Sequence, residues 1–236
     1  MINYDLMKKE AQALGVELDD YALDRFDTYA ERLVRWNSHV NLTAITEPDD
    51  IVVKHFADSL YILKHIDLQR GQSIVDVGCG AGFPSLPVLI AMPEIEVNFV
   101  DSVGKKLAFI KDVLRSNGLF GVVTHMRAEE MGKQWEFREY YDYAVARAVA
   151  PLNMLCEYCM PLVKVGGMFV ALKGSSGKEE LDNAQNAIKL LGGEVIRFEE
   201  YTLSNGDKRS IVIIKKISQT PTKYPRKSKK IDTKPL

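Results

Sequence analysis

A chain of 236 residues, 46% hydrophobic and 27% charged with a formal net charge of -1, has the make-up of an ordinary soluble protein, most simply one globular domain with appendages. No run reaches the ~20 apolar residues that a membrane span needs, and Met1–Asp5 has neither the basic nor the apolar region of a secretory signal. Three cysteines, an odd number, do not suggest a disulfide framework, so the expected address is cytoplasmic.

Residues 3–14 and 19–36 have helical periodicity; in the second, Tyr21, Phe26, Tyr29, Leu33 and Trp36 mark the apolar stripe and Asp19 and Asp20 are candidate N-caps. Thr46 opens a further helix with Pro48 in its first turn, which carries His55, Phe56, Asp58 and Leu60. From Gly71 the pattern changes to strands alternating with helices. Strands are expected at Ser73–Val77, Val97–Val100, Val122–His125, Tyr143–Ala146 and Met168–Leu172. Helices are expected at Pro84–Ala91, Lys105–Asn117, Met154–Val163 and Glu179–Leu191. Val195–Leu203 and Ser210–Lys216 alternate as an antiparallel pair joined at Asn205-Gly206.

This order predicts an α/β fold: a mostly parallel, seven-stranded Rossmann-like sheet with a C-terminal antiparallel hairpin, helices on both faces and an N-terminal helical extension. The expected organisation is an extension over 1–66, a core over 67–217 and a tail over 218–236. The tail carries Lys223, Arg226, Lys227, Lys229, Lys230 and Lys234 against Asp232, so its net charge is about +5 and that of the remainder about -6. With three prolines and almost no apolar residues it is expected to stay flexible. Such a tail is either a solubilising appendage or an arm that neutralises phosphates; the second reading gains weight only if the core acts on nucleic acid.

The segment Asp76-Val77-Gly78-Cys79-Gly80-Ala81-Gly82-Phe83-Pro84 follows a strand and precedes a helix, the context that a nucleotide-binding turn requires. A dinucleotide fingerprint starting at Gly78 would need glycine where Phe83 stands, and no lysine-hydroxyl pair follows to make a phosphate loop. The spacing of Gly78, Gly80 and Gly82 after Asp76 is the form usual for S-adenosylmethionine, and the chain reads as a class I methyltransferase that uses this cofactor. Asp101, ending the second strand, is placed to accept hydrogen bonds from the ribose hydroxyls. Arg127-Ala128-Glu129-Glu130, after the third strand, falls where this class contacts adenine. No metal site is expected.

The methyl acceptor is narrowed by chemistry. The Asn/Asp-Pro-Pro-aromatic motif used for exocyclic amines is missing after the fourth strand, which reads Ala146-Arg147-Ala148-Val149-Ala150-Pro151. Cys156 and Cys159 lie within a helix and read as core residues, neither as a nucleophile for pyrimidine C5 nor as half of a zinc site. An acceptor that needs no activation remains. The N7 of guanine fits, since its in-plane lone pair carries no proton and transfer requires alignment alone. Arg127, Arg147 and Lys173 are the candidate positioning residues for phosphates or the guanine edge.

Trp36-Asn37 with Asn41–Ile45, His55–Leu60, the glycine segment, Arg127–Glu130, Ala146–Ala150, Lys173-Gly174 and Tyr224–Lys227 together resemble the RsmG (GidB) family of bacterial 16S rRNA guanine-N7 methyltransferases, along essentially the whole chain. The resemblance implies methylation of a guanine in the 530 loop, with 16S rRNA or the small ribosomal subunit as partner; a methyltransferase acting on a small molecule or protein, or an RNA-binding ribosome assembly factor, are the alternative readings, and no membrane partner is expected. It also implies cofactor contacts at Gly78, Phe83, Ala128, Glu129 and Arg147; Asp101 comes from the general methyltransferase pattern. Cys79 and Ser85 depart from the family's usual serine and glycine. His55 and Asp58, three apart on one helical face, are either a local pair fixing the helix or residues of the RNA-facing mouth. Asn41 is either a turn residue or a substrate donor. No coiled-coil heptad suggests a dimer, so a monomer is expected.

Overall fold

The computed structural model describes all residues, Met1–Leu236. The N-terminal helices are α1 (Tyr4–Ala13) and α2 (Asp20–Asn37), each capped by a side chain on its preceding residue: Asn3 accepts from the Leu6 amide and Asp19 from the Ala22 amide. The buried stripe of α2 is Ala22, Leu23, Phe26, Tyr29, Ala30 and Leu33; Tyr21 lies outside it and is 78% exposed. A further helical rod follows, built from α3 (Pro48–Ile51), a π-helical stretch over Val52–Ala57, α4 (Asp58–Leu60) and a closing 3-10 turn over Tyr61–Lys64.

The remainder alternates: β1 (Ser73–Val77), α5 (Ser85–Ala91), β2 (Glu96–Asp101), α6 (Gly104–Ser116), β3 (Val122–His125), α7 (Ala128–Met131), β4 (Tyr141–Arg147), α8 (Leu152–Cys159), β5 (Val163–Lys173), α9 (Gly177–Leu190), β6 (Gly193–Thr202), β7 (Lys208–Lys216) and α10 (Ser228–Thr233). The seven strands form one sheet in the order β3-β2-β1-β4-β5-β7-β6. All neighbours are parallel except β7, which runs antiparallel to both β5 and β6. The α/β fold with its closing antiparallel hairpin is therefore the expected one. β5 begins earlier than the periodicity indicates, because it runs through Gly166-Gly167 across a register shift opposite Tyr141 and Tyr143.

Both faces of a parallel sheet must be covered, and the central strands show it: β1 is buried at every position. Successive side chains point to opposite faces, so Ile74 joins a layer shared with α1, α2, α5 and α6, while Val75 and Val77 join a layer shared with α8 and α9. The first layer is dense in aromatic rings: Phe56 meets Phe26, Tyr29 and Phe83, and Tyr29 also meets Phe83. Each fully buried side chain of this size contributes about 1.5–3 kcal/mol. The N-terminal helices thus share one core with the sheet.

The tail does not behave as its composition suggests. Tyr224 is buried in the second apolar layer and Ile231 of α10 is fully buried. The backbone of 220–224 is held by Arg138, whose guanidinium donates to the carbonyls of Thr220 and Tyr224. Arg226 pairs with Glu157, a fully buried residue of α8, through Nη2–Oε2 at 2.6 Å and Nε–Oε1 at 2.8 Å. Lys216, also fully buried, donates to Thr220 Oγ1 and pairs with Glu139 at 3.1 Å; burial draws its pKa down to about 8. Two buried charges seeking partners organise a segment with too little apolar surface to order itself.

Candidate functional site

Strand order reverses at β1, between β2 and β4, and open α/β sheets bind ligands at that point, outside the carboxyl ends of the strands. A cleft of about 570 Å³ lies there, lined by the glycine segment, the ends of β2 and β4, Arg127–Glu129 and residues of the N-terminal rod. The turn after β1 is fastened beneath β2: the amides of Gly78 and Cys79 both donate to the Val100 carbonyl. Gly78 has φ +70°, and a Cβ there would meet the Val149 side chain at 2.8 Å. Glycine is required by conformation and by the close approach of the loop after β4. Beside Gly80, in contrast, a Cβ would find only the Gly78 carbonyl, at 3.8 Å, so the space there is open cleft.

Asp101 closes the turn from the side. Its Oδ2 accepts from the Gly80 amide at 3.0 Å and its Oδ1 from the Val103 amide at 2.8 Å. Each oxygen keeps a second lone pair, which suits a ribose diol. Val103, Met126, Ala128 and Val149 supply apolar walls, and the Glu129 carboxylate lies buried at the same end, 3.9 Å from Arg127. An open glycine turn, an acceptor for a diol and an apolar slot together fit S-adenosylmethionine. Asp76 sits behind the turn, fully buried; one oxygen accepts from the Ser85 amide and the other has no partner. Burial pushes its carboxyl up to about 7.

The opposite end is built around Arg147. Its Nη1 donates to Asp58 Oδ2 at 2.9 Å and its Nη2 to His55 Nδ1 at 3.0 Å, and its guanidinium lies 4.5 Å from the Phe83 ring. Phe83 is stacked in turn on His55, with ring centroids 4.3 Å apart. The π-helical turn brings His55 and Asp58 to one side of the rod, where they grip the same arginine and do not bond each other. Tyr201 donates to the other oxygen of Asp58 at 2.8 Å. Burial, reinforced by the Arg147 charge, lowers the His55 pKa to about 3. Because arginine has no acceptor, Nδ1 carries the imidazole lone pair and the proton is on Nε2.

Among the three positioning candidates, Arg147 is committed inward, with its side chain only 12% exposed. Lys173 is likewise engaged: it donates to the Ala150 carbonyl at 2.8 Å and pairs with Glu180 at 2.6 Å, bracing the loop after β4 against α9. Arg127, 57% exposed, is the cation open to an incoming ligand. The expected cofactor residues Gly78, Gly80, Phe83, Asp101, Ala128, Glu129 and Arg147 all line the cleft. Gly82 instead packs against Leu86 and Ile110 behind the turn. Asn41 is exposed; the turn at this point is made by Asn37, whose side chain binds the backbone of Leu42 and Thr43. Cys156 and Cys159 are fully buried in the second apolar layer, and burial pushes both thiols up.

Sequence reasoning missed Thr43, Ala148, Tyr158 and Asp232, which also line the cleft. Ala148 has φ +55°, a left-handed conformation uncommon outside glycine, and only the fold reveals it. Asp232 arrives from α10, held by Tyr158 at 3.1 Å. Arg127, Glu129 and Asp232 are shared with a neighbouring groove that Lys133, Lys227 and Lys229 also line.

Comparison with known proteins matches residues 22–212 to the family model described as rRNA small subunit methyltransferase G. Relatives named ribosomal RNA small subunit methyltransferase G are 47% identical in Alkaliphilus metalliredigens, over 98% of both chains, and 44% identical in Lactobacillus delbrueckii, over all of both chains. Among solved structures, an S-adenosylmethionine-dependent O-methyltransferase from Thermotoga maritima superposes with a TM-score of 0.55 at 14% identity, over 79% of this chain and 72% of that one. The [4+2]-cyclase SpnF superposes at 0.56, also at 14% identity, over 82% of this chain and 94% of that one. At such identity these two speak for the fold alone, and their differing chemistries on one scaffold make the same point.

Proposed function

The chain belongs to the rRNA small subunit methyltransferase G family, and from that premise we propose that it transfers a methyl group from S-adenosylmethionine to N7 of a guanine in the 530 loop of 16S rRNA. When bound, S-adenosylmethionine supplies an electrophilic methyl group on a positively charged sulfur. The residues proposed to hold it are Gly78 and Gly80 through open backbone, Asp101 through its carboxylate, Ala128 and Glu129 at the adenine end, and Phe83 and Arg147 at the other.

The observation that carries the N7 reading is the commitment of the one imidazole in the cleft. His55 is neutral, with its lone pair taken by Arg147 and its proton directed at Thr43, so it has no capacity to accept a proton from a substrate. An acceptor with no proton to lose suits the surroundings of His55, where alignment is the role left to this residue. Arg147 fixes His55 and Phe83, and these fix the wall against which the acceptor lies.

The RNA is proposed to run from the cleft along the groove towards α10, where Lys223, Lys227, Lys229, Lys230 and Lys234 are exposed. Of these, Lys227 and Lys229 line the groove together with Lys133, and docked on the core they would position phosphates without reading bases. The unit over 67–217 is proposed to carry the chemistry, with 1–66 and 218–236 shaping the acceptor side. The protein is proposed to work as a monomer in the cytoplasm; no helix is long and apolar enough to cross a membrane.

The test is transfer of labelled methyl from S-adenosylmethionine to small ribosomal subunits lacking the modification, followed by identification of the labelled nucleoside. Label in 7-methylguanosine at one position of the 530 loop supports the proposal. Label in another nucleoside overturns the N7 assignment.

A further inference from the structure

Asn37, the last residue of α2, holds the next segment by its side chain: Oδ1 accepts from the amides of Leu42 at 2.9 Å and Thr43 at 3.0 Å, and Nδ2 donates to the Thr43 carbonyl at 2.8 Å. The Thr43 backbone is therefore fixed, and its half-buried side chain lines the cleft beside Leu42, His55, Phe83 and Arg147.

The state of the Thr43 hydroxyl follows from its neighbours. The Arg147 bond to His55 Nδ1 places the imidazole proton on Nε2, which donates to Thr43 Oγ1 at 2.8 Å. The Ile45 amide donates to the same oxygen at 3.0 Å. A hydroxyl oxygen has two acceptor sites, and both are filled. What Thr43 retains is its own proton, with no hydrogen-bond acceptor within the chain.

On the reading that the cleft takes guanine, we propose that Thr43 donates this proton to O6 of the target base and so selects guanine over adenine. The N7 edge of guanine presents two acceptors, N7 and O6, whereas that of adenine presents the N7 acceptor and an amino donor. An oxygen already filled by two donors cannot accept from the adenine amino group, so two donors would face each other. A bidentate arginine would also reject adenine, but it would occupy the N7 lone pair that must attack. A single donor on O6 leaves N7 free. As N7 gains a methyl group the ring becomes electron-poor and O6 a weaker acceptor, so the bond belongs to the bound substrate more than to the transition state. Its loss raises KM more than it lowers kcat.

The experiment compares two RNA substrates, one with the target guanine and one with 2,6-diaminopurine there, which keeps N7 and the 2-amino group but replaces O6 by an amino group. The native protein is expected to favour guanine by about tenfold or more in kcat/KM. Thr43→Val, isosteric but without the hydroxyl, is expected to bring that ratio towards one, mainly through KM on the guanine substrate. Thr43→Ser retains it. Calorimetric binding of S-adenosylmethionine to each variant checks that the cleft is intact. A Thr43→Val protein that loses rate equally on both substrates, keeping the native ratio, overturns the inference and leaves Thr43 a structural residue. If the native protein methylates N7 of neither substrate, the parent reading falls and takes the inference with it.

Discussion

Removing Arg226 tests whether the basic tail is a docked part of the fold. Glu157 is fully buried, and its carboxylate accepts from the Arg226 backbone amide at 2.7 Å and from the Arg226 guanidinium at 2.6–3.0 Å. In Arg226→Ala the amide hydrogen bond alone survives, and a carboxylate is left buried without a counter-charge. Breaking such a pair costs about 3–5 kcal/mol, unless 218–236 lifts off and lets water reach Glu157, in which case the cost is limited to the free energy of docking. Urea denaturation monitored by circular dichroism reads the first outcome, and amide hydrogen exchange over Ser228–Thr233 reads the second. Replacing both partners by apolar residues, Arg226→Met with Glu157→Leu, is expected to recover most of the loss, because no unpaired charge remains. A single variant that loses under about 1 kcal/mol while α10 keeps its native protection would refute the claim that this pair holds the tail.

Gly78→Ala must take a left-handed φ and push Val149 away, so affinity for S-adenosylmethionine should fall at least about tenfold; calorimetry giving native affinity would show that the turn tolerates a Cβ. Asp76 ionises in the unfolded chain near its ordinary pKa but, when folded, only at about 7, so the folded state holds the extra proton and native stability falls as pH rises from about 4 to 7. Asp76→Asn cannot ionise, and its stability relative to the native protein should improve by about 2 kcal/mol between pH 5 and 7; parallel stability curves would contradict the burial argument. Arg147→Met strips Asp58 of its 2.9 Å partner and frees the His55 lone pair, with an expected loss of methylation, a destabilisation of about 3–5 kcal/mol and an upward shift of the His55 pKa by NMR. A variant that keeps native turnover would remove Arg147 from the site. Lys227→Glu with Lys229→Glu should lower the slope of log affinity against log salt for RNA by about 0.7–0.9 for each phosphate no longer neutralised; an unaltered slope would place the RNA elsewhere.

Much of the fold was legible because its determinants are local. The alternation of apolar runs and helical periods fixed β1, β3 and α6 to within a residue or two, and the glycine spacing after Asp76 marked the turn whose backbone conformation no other residue type adopts cheaply. The order of those elements was enough to set the parallel sheet, and with Asp101 ending β2 and Ala128 opening the helix after β3, both fall at the carboxyl ends of the strands, where the cleft lies. At the other end of the cleft, Arg147 and His55 were legible as candidates but not as partners: they stand 92 positions apart, and nothing in the spacing of either says that they meet. The tail misled for a related reason. Composition correctly reports that 218–236 has little apolar surface, yet the partner that orders it is Glu157, the one acid of α8, between Cys156 and Tyr158. Local preference acts through a residue and its near neighbours, so the sequence by itself determined the elements, their order and the glycine turn. Pairing of buried charges and hydrogen-bond donors is a long-range matter of which groups lose their water together, and only the tertiary structure decided the Arg147 clamp, the docked tail and the donor state of Thr43.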